Sequence, residues 1–207
     1  MLKLIDAKKS YHSQLIIQVP ILYLENGIYW LKGANGSGKT TFLKMVAAMI
    51  PFEGDIECNG ISLKKNPLMY RQKVSWAEAE PLYPPFMSGM DLICLYREIR
   101  KAPAHQVDRL IQLFNMQEYI KNSVGTFSAG MTKKLSLVLA FIGNASLIVL
   151  DEPLITLDSD AFSTVSNLIL DKQNNNGTGF LMSSHQELDA QLVVSGKELV
   201  VSNQTVS

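Results

Sequence analysis

The sequence predicts an α/β fold with a mainly parallel β-sheet, an N-terminal antiparallel β subdomain and an inserted α-helical subdomain. After Ser128, helical patterns alternate with short segments rich in β-formers, which is typical of a parallel sheet. Residues 147–150 are entirely apolar, as expected of a central strand that is covered on both faces. Short strands separated by turns fill the N-terminal third, whereas residues 79–136 contain prolines and helical patterns.

Local patterns predict the elements of the N-terminal half in chain order. Segments rich in β-formers predict strands at 2–8, 15–19, 27–32 and 55–58. Apolar residues at helical spacing predict a helix over 39–50, which Pro51 ends. An Asn59-Gly60 turn follows the fourth strand.

The C-terminal half begins where prolines break the chain at 81–85. Helical patterns then predict helices at 91–100 and 104–119, and an apolar helix that begins after Ser128. The remaining predicted elements are a strand at 147–150, a helix at 161–171, a polar loop at 173–177 and a strand at 180–183.

Length and composition limit the class of protein. With 207 residues we expect one domain, with core segments 1–78 and 137–207 and the helical subdomain at 79–136. Lys plus Arg and Asp plus Glu both number 19, so no net charge favours binding to nucleic acid or to an anionic membrane. The two cysteines have no metal or redox spacing, which suits a reducing cytosol.

Neither a secretion signal nor a membrane span is expected. Asp6 places an acid early in the N-terminus, where no long apolar core is present. The longest uncharged run, 135–150, is shorter than the roughly 20 residues that a membrane helix needs. Turn residues at 143–146 interrupt it, so we interpret it as a buried helix followed by a buried strand.

A glycine-rich motif, G-x-x-x-x-G-K-T, lies between the strand at 27–32 and the helix at 39–50. Its glycines allow positive φ, so that backbone N–H groups can turn inward around an anion, and the helix dipole adds to this attraction. Lys39 would reach the β- and γ-phosphates, and the Thr40 hydroxyl could ligate Mg²⁺. We predict that a nucleotide binds at Gly33, Ala34, Asn35, Gly36, Ser37, Gly38, Lys39, Thr40 and Thr41.

Two acids, Asp151 and Glu152, follow the apolar strand at 147–150. The carboxyl ends of parallel strands open onto the crevice where ligands bind, so both carboxylates are expected to face the glycine-rich motif. We predict that Asp151 holds Mg²⁺ and that Glu152 orients or deprotonates an attacking water.

With both elements in place, the chain resembles the ATP-binding subunit of an ATP-binding cassette (ABC) transporter over essentially its whole length. The most specific match is 127–131, Phe-Ser-Ala-Gly-Met, at the position of the family's Leu-Ser-Gly-Gly-Gln signature. Ser128 begins a helix, so its hydroxyl and the next N–H groups form a second anion site. The resemblance implies a RecA-like core and a head-to-tail dimer, in which Ser128 and Gly130 close over the ATP bound by the other subunit.

Three further residues match the family. Tyr11 stands where an aromatic residue stacks on adenine, and we favour that role over the alternative of an ordinary strand aromatic. Asp158 matches the aspartate of the loop that crosses the dimer interface. His185 follows a predicted strand, as the family's switch histidine does, and would complete the γ-phosphate site with Lys39 and Glu152.

The chain also departs from the family. Ala129 and Met131 replace the signature's glycine and glutamine, and Thr156 stands where a small residue is usual. Ala79 occupies the position of the glutamine that senses the γ-phosphate and the membrane partner. Either Glu78 or Glu80 replaces it, or coupling here is unusual.

The segment 81–87 is apolar and aromatic for a loop. It predicts either a groove for a helix of a membrane subunit or a cap on the protein's own core.

The resemblance implies an ATPase that uses ATP and Mg²⁺, the metal being held by Thr40 and Asp151. Expected partners are a separate membrane permease and a second ATPase subunit, identical or different, and no nucleic acid. The expected location is cytoplasmic, peripheral at the inner face of the cell membrane. Haem-exporter ATPases and drug- or lipid-exporting cassettes are similar. Two alternatives are a soluble cassette ATPase acting on ribosomes or DNA, and a weakly hydrolysing regulatory subunit.

Overall fold

The computed structural model describes residues 1–184 and 190–207, in which strands and helices alternate after an N-terminal hairpin. The strands are β1 (Leu2–Tyr11), β2 (Gln14–Leu24), β3 (Ile28–Lys32), β4 (Glu53–Cys58), β5 (Ile61–Ser62), β6 (Val74–Ala77), β7 (Leu147–Leu150), β8 (Gly179–Ser183), β9 (Gly196–Ser202) and β10 (Thr205–Val206). The helices are α1 (Lys39–Val46), α2 (Pro67–Lys73), α3 (Gly89–Arg100), α4 (Ala104–Leu113), α5 (Ala129–Phe141), α6 (Ser159–Asn176) and α7 (Ala190–Ser195).

Within the described ranges, these strands form two sheets. The first has the order β2-β1-β4-β5 and is antiparallel throughout. The second has the order β10-β9-β3-β8-β7-β6, in which all neighbours are parallel except β10 and β9. The predicted antiparallel subdomain and parallel core are both present.

The parallel sheet is buried on both faces, which explains why its central strands are continuous apolar runs. Along β3, Ile28 and Trp30 join one hydrophobic cluster, whereas Tyr29 and Leu31 join the other. The first cluster is shared with helices α3 to α6, and the second with α1 and the antiparallel sheet. Side chains of β7 alternate between the same two clusters. Strand β7 is therefore packed on both faces as far as its C-terminal end, where the two acidic residues follow.

Several predicted boundaries were wrong. The helix predicted over 39–50 ends at Val46, with Ala48 in a left-handed conformation, φ 57°. The helix predicted over 104–119 ends at Leu113, and Asn115 has φ 53°. The polar loop predicted at 173–177 is helical as far as Asn176, and a left-handed Gly177 ends the helix. Elements that the patterns did not predict are α2, β5, α7, β9 and β10.

The uncharged run at 135–150 contains the end of α5, a turn at Gly143 with φ 82°, and β7, as expected. None of the helices in residues 1–184 and 190–207 combines the length and apolar character that crossing a membrane requires. The predicted boundary between the helical subdomain and the core, at 136–137, falls inside α5. The division into subdomains stays a prediction.

Candidate nucleotide-binding site

The glycine-rich loop between β3 and α1 has the backbone that its sequence predicts. Gly36 and Gly38 have φ of 76° and 106°, values that residues with a side chain rarely adopt. Gly33 has φ 157°, and a Cβ there would lie 2.6 Å from the carbonyl oxygen of Val201 in β9. The loop is therefore packed against β9 too closely for any other residue at position 33.

Helix α1 begins directly after this loop, with Gly38 as its N-cap. Within the described chain, no side chain caps its first turn, so the N–H groups of that turn can serve an anion. The Lys39 ammonium lies over the loop, where it donates to the carbonyl oxygens of Gly33 at 2.8 Å and Ala34 at 3.1 Å. The positive charge and the helix terminus thus face the same volume.

A cavity of about 450 Å³ opens at this point. Its lining comes from the β1–β2 hairpin, the loop, the first turn of α1 and the end of β7: Tyr11, Ile16, Asn35, Gly36, Gly38, Lys39, Thr40, Thr41 and Glu152. Tyr11 is 45% exposed, and the Lys9 ammonium lies 4.8 Å from the centre of its ring. The cavity therefore joins an aromatic surface to a phosphate-binding loop and a carboxylate.

Asp151 is almost completely buried at the end of β7. Its Oδ1 accepts a hydrogen bond from the Ser183 hydroxyl at 2.6 Å. Its Oδ2 is buried without a hydrogen-bond partner among the described residues, and such an orphaned carboxylate oxygen suits a cation. The described residues contain no cluster of three or more His, Cys, Asp or Glu residues for a metal. A Mg²⁺ ion bound by one carboxylate, a hydroxyl and phosphate oxygens does not need such a cluster.

Glu152 lines the cavity in a left-handed conformation, with φ 45°. This conformation is uncommon for a residue with a side chain and is often found at functional sites. Its N–H donates to the Ser183 hydroxyl at 3.0 Å. One buried hydroxyl on β8 therefore contacts both acidic residues.

Lys133, on α5, is only 1% exposed. Its ammonium donates to the carbonyl oxygens of Glu78 at 2.8 Å, Ala79 at 3.2 Å and Asp151 at 3.1 Å. Burial lowers the pKa of Lys133 to about 8, and the nearby carboxylates, chiefly Asp151, act in the opposite direction. A cation is thus kept next to the acidic end of β7.

Ser128 is the N-cap of α5, as its position predicts. Its hydroxyl accepts from the N–H of Met131 at 3.2 Å, and the Met131 thioether accepts from the N–H of Ser128 at 3.5 Å. Met131 therefore completes the capping box from the position of the family's glutamine.

Asp158 is the N-cap of α6, where it accepts from the N–H of Ala161 at 2.8 Å. Its other oxygen pairs with Lys134 of α5 at 2.6 Å. The hydrogen bond from Lys134 and that from the Ala161 amide lower the pKa of Asp158. Nearby, a Cβ on Gly130 would lie 3.1 Å from the Thr156 carbonyl oxygen. The motif at 127–131 and the segment that begins α6 are thus in contact within one chain.

A family model described as "ABC transporter" matches residues 22–155. The chain belongs to the ABC transporter family.

Curated relatives agree with this assignment. The cytochrome c biogenesis ATP-binding export protein CcmA of Legionella pneumophila is 31% identical over 191 residues, which are 91% of this chain and 94% of CcmA. The bacitracin transport ATP-binding protein BcrA of Bacillus licheniformis is 28% identical, over 89% of this chain and 61% of BcrA. The predicted resemblance to short exporter-type ABC ATPases is confirmed.

Solved structures agree in fold. An ATP-binding subunit of an ABC transporter has a TM-score of 0.87 at 23% identity and covers 100% of this chain and 88% of its own. The cassette MJ0796, solved as a dimer in a post-hydrolysis state with ADP and phosphate, has a TM-score of 0.81 at 19% identity, over 100% and 97% of the two chains. At these identities the likeness concerns the fold, and it confirms the predicted parallel core.

The structure of this chain brings together most of the predicted nucleotide-binding residues, but not all. Gly33, Ala34 and Ser37 belong to the loop without lining the cavity, and Asp151 is buried beside Glu152. Ser128, Gly130 and Asp158 do not line the cavity of their own chain. His185 lies outside the described residues. The roles assigned to all these residues stay predictions.

The structure also shows the surroundings of Ala79, which occupies the position of the family's glutamine. The Glu78 carboxylate pairs with Lys44 of α1 at 2.5 Å. Neither Glu78, Ala79 nor Glu80 is among the described residues that line the cavity.

Sequence reasoning did not predict Ile16, Ser183 or Lys133 at the site. A serine at the end of an apolar strand was a signal for Ser183, and a lysine just before the apolar stretch of α5 was a signal for Lys133.

Proposed function

We propose that this chain is an ATP-hydrolysing subunit that forms a head-to-tail dimer around two Mg-ATP and drives a separate membrane permease. The observation that carries the proposal is the cavity itself. It joins the loop lysine Lys39, the hydroxyl of Thr40 and the carboxylate of Glu152 at the end of the central strands. Positioning and electrostatic stabilisation account for most of phosphoryl-transfer catalysis, and these residues can supply both.

Each group has a distinct role in the proposal. The loop amides and the Lys39 ammonium hold the phosphates, and the Tyr11 ring stacks on adenine. Thr40 and the unpaired Oδ2 of Asp151 hold Mg²⁺, which neutralises phosphate charge when it is bound. Glu152 orients or deprotonates the attacking water, with its main chain held by Ser183. His185 is proposed as the γ-phosphate contact.

The positions of the signature residues support the dimer, because these residues do not line the described cavity of their own chain. Ser128 and Gly130 lie outside the described lining of their own chain's cavity. In the proposed dimer, the N-terminus of α5 from one subunit closes over the γ-phosphate held by the other subunit, where it adds N–H donors and a helix dipole. Asp158 lies close to this contact through its pairing with Lys134.

The segment 81–87 supports a membrane partner. Tyr83 and Met87 pack against the core, and burial raises the pKa of Tyr83. Leu82 and Phe86, by contrast, are 93% and 83% exposed. The segment therefore caps its own core and also presents two large apolar side chains, which suit an apolar helix of a permease.

The catalytic proposal is tested with Glu152→Gln. Loss of a general base commonly lowers the rate by about 10²–10⁴-fold, so turnover should nearly disappear while ATP binding persists. Size-exclusion chromatography with Mg-ATP should show a stabilised dimer. Glu118→Gln, at an exposed position, is the matched control. Normal phosphate release by Glu152→Gln would reject the assignment.

The partner is tested by capture of the full chain from membranes solubilised in detergent. Leu82→Ser with Phe86→Ser should weaken retention of the permease, whereas Ile21→Ser, at an exposed apolar position on β2, should not. Retention of ribosomes or DNA in place of a membrane protein would favour the soluble alternative. Phosphate release measured with the permease present distinguishes a working motor from a weakly hydrolysing regulatory subunit.

A further inference from the structure

Lys133 uses all the hydrogen-bonding capacity of its ammonium on main-chain carbonyls. Its three donors meet three acceptors, the carbonyl oxygens of Glu78, Ala79 and Asp151, at 2.8, 3.2 and 3.1 Å. The side chain is 1% exposed, so these bonds are made away from solvent. A buried charge with fully satisfied donors holds its acceptors firmly, because losing any one of them is costly.

The acceptors lie at the ends of two neighbouring strands. Glu78 and Ala79 follow β6, Asp151 follows β7, and these strands pair in parallel. The N–H of Asp151 donates to the carbonyl oxygen of Ala77 at 2.9 Å. Both main-chain polar groups of Asp151 are therefore held, its N–H by β6 and its carbonyl by Lys133 of α5.

A second lysine holds the same loop from α1. Lys44 pairs with the Glu78 carboxylate at 2.5 Å, and α1 is the helix that begins with Lys39 and Thr40. The loop after β6 is thus linked to the phosphate-binding helix on one side and to α5 on the other. The methyl group of Ala79 can neither donate nor accept a hydrogen bond, so these links do not use the side chain at that position.

We propose that Lys133 is a positioning residue of the nucleotide site, which fixes the main chain of Asp151 and of the loop at Glu78 and Ala79 relative to α5. The inference rests on the proposed function, because it gives Asp151 the role of holding Mg²⁺. A displacement of α5 then reaches Asp151 through a single ammonium group, without a glutamine side chain at position 79.

Lys172 provides a matched control. It is a second buried lysine, 8% exposed, on α6, and burial lowers its pKa as it does for Lys133. Its ammonium donates to the carbonyl oxygen of Gly143 at 3.1 Å, in the turn between α5 and β7. Its replacement therefore reports the general cost of losing a buried ammonium away from the cavity.

The experiment compares the full chain with Lys133→Met and Lys172→Met, and with the charge-retaining variants Lys133→Arg and Lys172→Arg. Two quantities are measured without reference to turnover. The first is the Mg²⁺ concentration that half-saturates the increase in ATP affinity, together with the ATP affinity in chelator. The second is amide hydrogen exchange at Asp151 in the nucleotide-free protein.

Lys133→Met is expected to raise the half-saturating Mg²⁺ concentration by about 10–100-fold, the usual effect of losing a residue that orients a metal ligand. The ATP affinity in chelator should stay that of the wild type, and exchange at Asp151 should become faster. Lys133→Arg should give a smaller change in the same direction, because arginine keeps the charge but not the geometry. Both Lys172 variants should match the wild type in these two measurements.

Equal behaviour of the Lys133 and Lys172 variants in both measurements would overturn the inference and leave Lys133 a structural residue. If Lys133→Met does not fold, Lys133→Arg is compared with Lys172→Arg, and equal behaviour of these two variants in both measurements would overturn the inference. A wild-type protein whose ATP binding ignores Mg²⁺ would overturn the proposed function as well. Normal Mg²⁺ dependence in both the wild type and Lys133→Met would overturn this inference alone.

Discussion

Ser183→Ala removes one hydroxyl that contacts both acidic residues at the end of β7. The Ser183 hydroxyl donates to Asp151 Oδ1 at 2.6 Å and accepts from the N–H of Glu152 at 3.0 Å. Ser183 is 0% exposed and Asp151 is 1% exposed. Alanine fits the space that serine leaves, so the change tests the hydrogen bonds rather than the packing of β8.

The expected magnitude follows from these two bonds. A hydrogen bond to a charged group contributes about 1.5–3 kcal/mol, and a buried N–H left unsatisfied costs about 1–3 kcal/mol. Because such terms are not additive for neighbouring groups, we expect the free energy of unfolding to fall by about 2–4 kcal/mol. Mg²⁺-dependent hydrolysis should fall by about 10–100-fold, since both acidic residues lose the group that orients them.

Two buried serines provide controls, Ser75 and Ser166. Within the described chain, neither hydroxyl has a hydrogen-bond partner, so removing either one should be nearly neutral. Urea denaturation and Mg²⁺-dependent phosphate release would be measured for Ser183→Ala, Ser75→Ala and Ser166→Ala together. The reasoning is refuted if Ser183→Ala unfolds at the urea concentration of the two controls and hydrolyses ATP at their rate.

Three further outcomes are expected. Gly33→Ala should weaken ATP binding in a fluorescence titration more than Gly36→Ala, because its Cβ would lie 2.6 Å from the Val201 carbonyl oxygen while the surroundings of Gly36 are open; equal losses would contradict this. In urea denaturation, Lys134→Met should cost less than about 1 kcal/mol, because it removes only a partly exposed ion pair; Asp158→Ala removes the same pair and also the N-cap, which adds about 0.5–2 kcal/mol, and equal costs of the two variants would contradict a contribution from the cap. Burial raises the pKa of Cys58 to about 11, so at neutral pH its reactive thiolate is scarce and the folded protein should take up maleimide at the exposed Cys94 alone, as mass spectrometry of the Cys94→Ser variant would check.

The patterns that predicted the central fold correctly were those whose residues by themselves determine a local backbone conformation. The apolar run of β7 and the glycines of the loop each specify a backbone directly, and both lie where they were expected. Helix α2 was missed because only Tyr70 of its seven residues is buried, so it carries no apolar stripe. The end of α4 was missed because buried apolar residues, among them Phe114 and Met116, continue beyond Leu113 into turns.

The end of α6 shows the opposite case. Its asparagines predict a loop from their low helical propensity, yet the helix continues to Asn176. Asn175 donates to Asp171 at 2.6 Å within the helix, and Asn26 bonds the carbonyl oxygen of the closing Gly177 at 2.7 Å. The second contact joins residues 151 positions apart and could not be read from the local pattern.

For the site, the motif residues could be predicted, but the groups that hold them could not. Ser183 and Lys133 contact Asp151 from β8 and α5, so their roles depend on how distant segments pack. The pairing of Asp158 with Lys134 likewise depends on the approach of α5 to α6.

The burial of β7 on both faces limits the substitutions that this strand can accept. Each side chain of this strand packs into one of the two cores, so a change of size at any of its positions disturbs one core directly and would also displace the acidic pair that follows the strand. Substitutions cost the least stability at positions that pack against neither core. At three positions this chain departs from its family's usual glutamine, glycine and glutamine, and the residues there, Ala79, Ala129 and Met131, are all partly or largely exposed. We therefore expect substitutions at these three positions to disturb the fold less than substitutions in the strand that carries the acids.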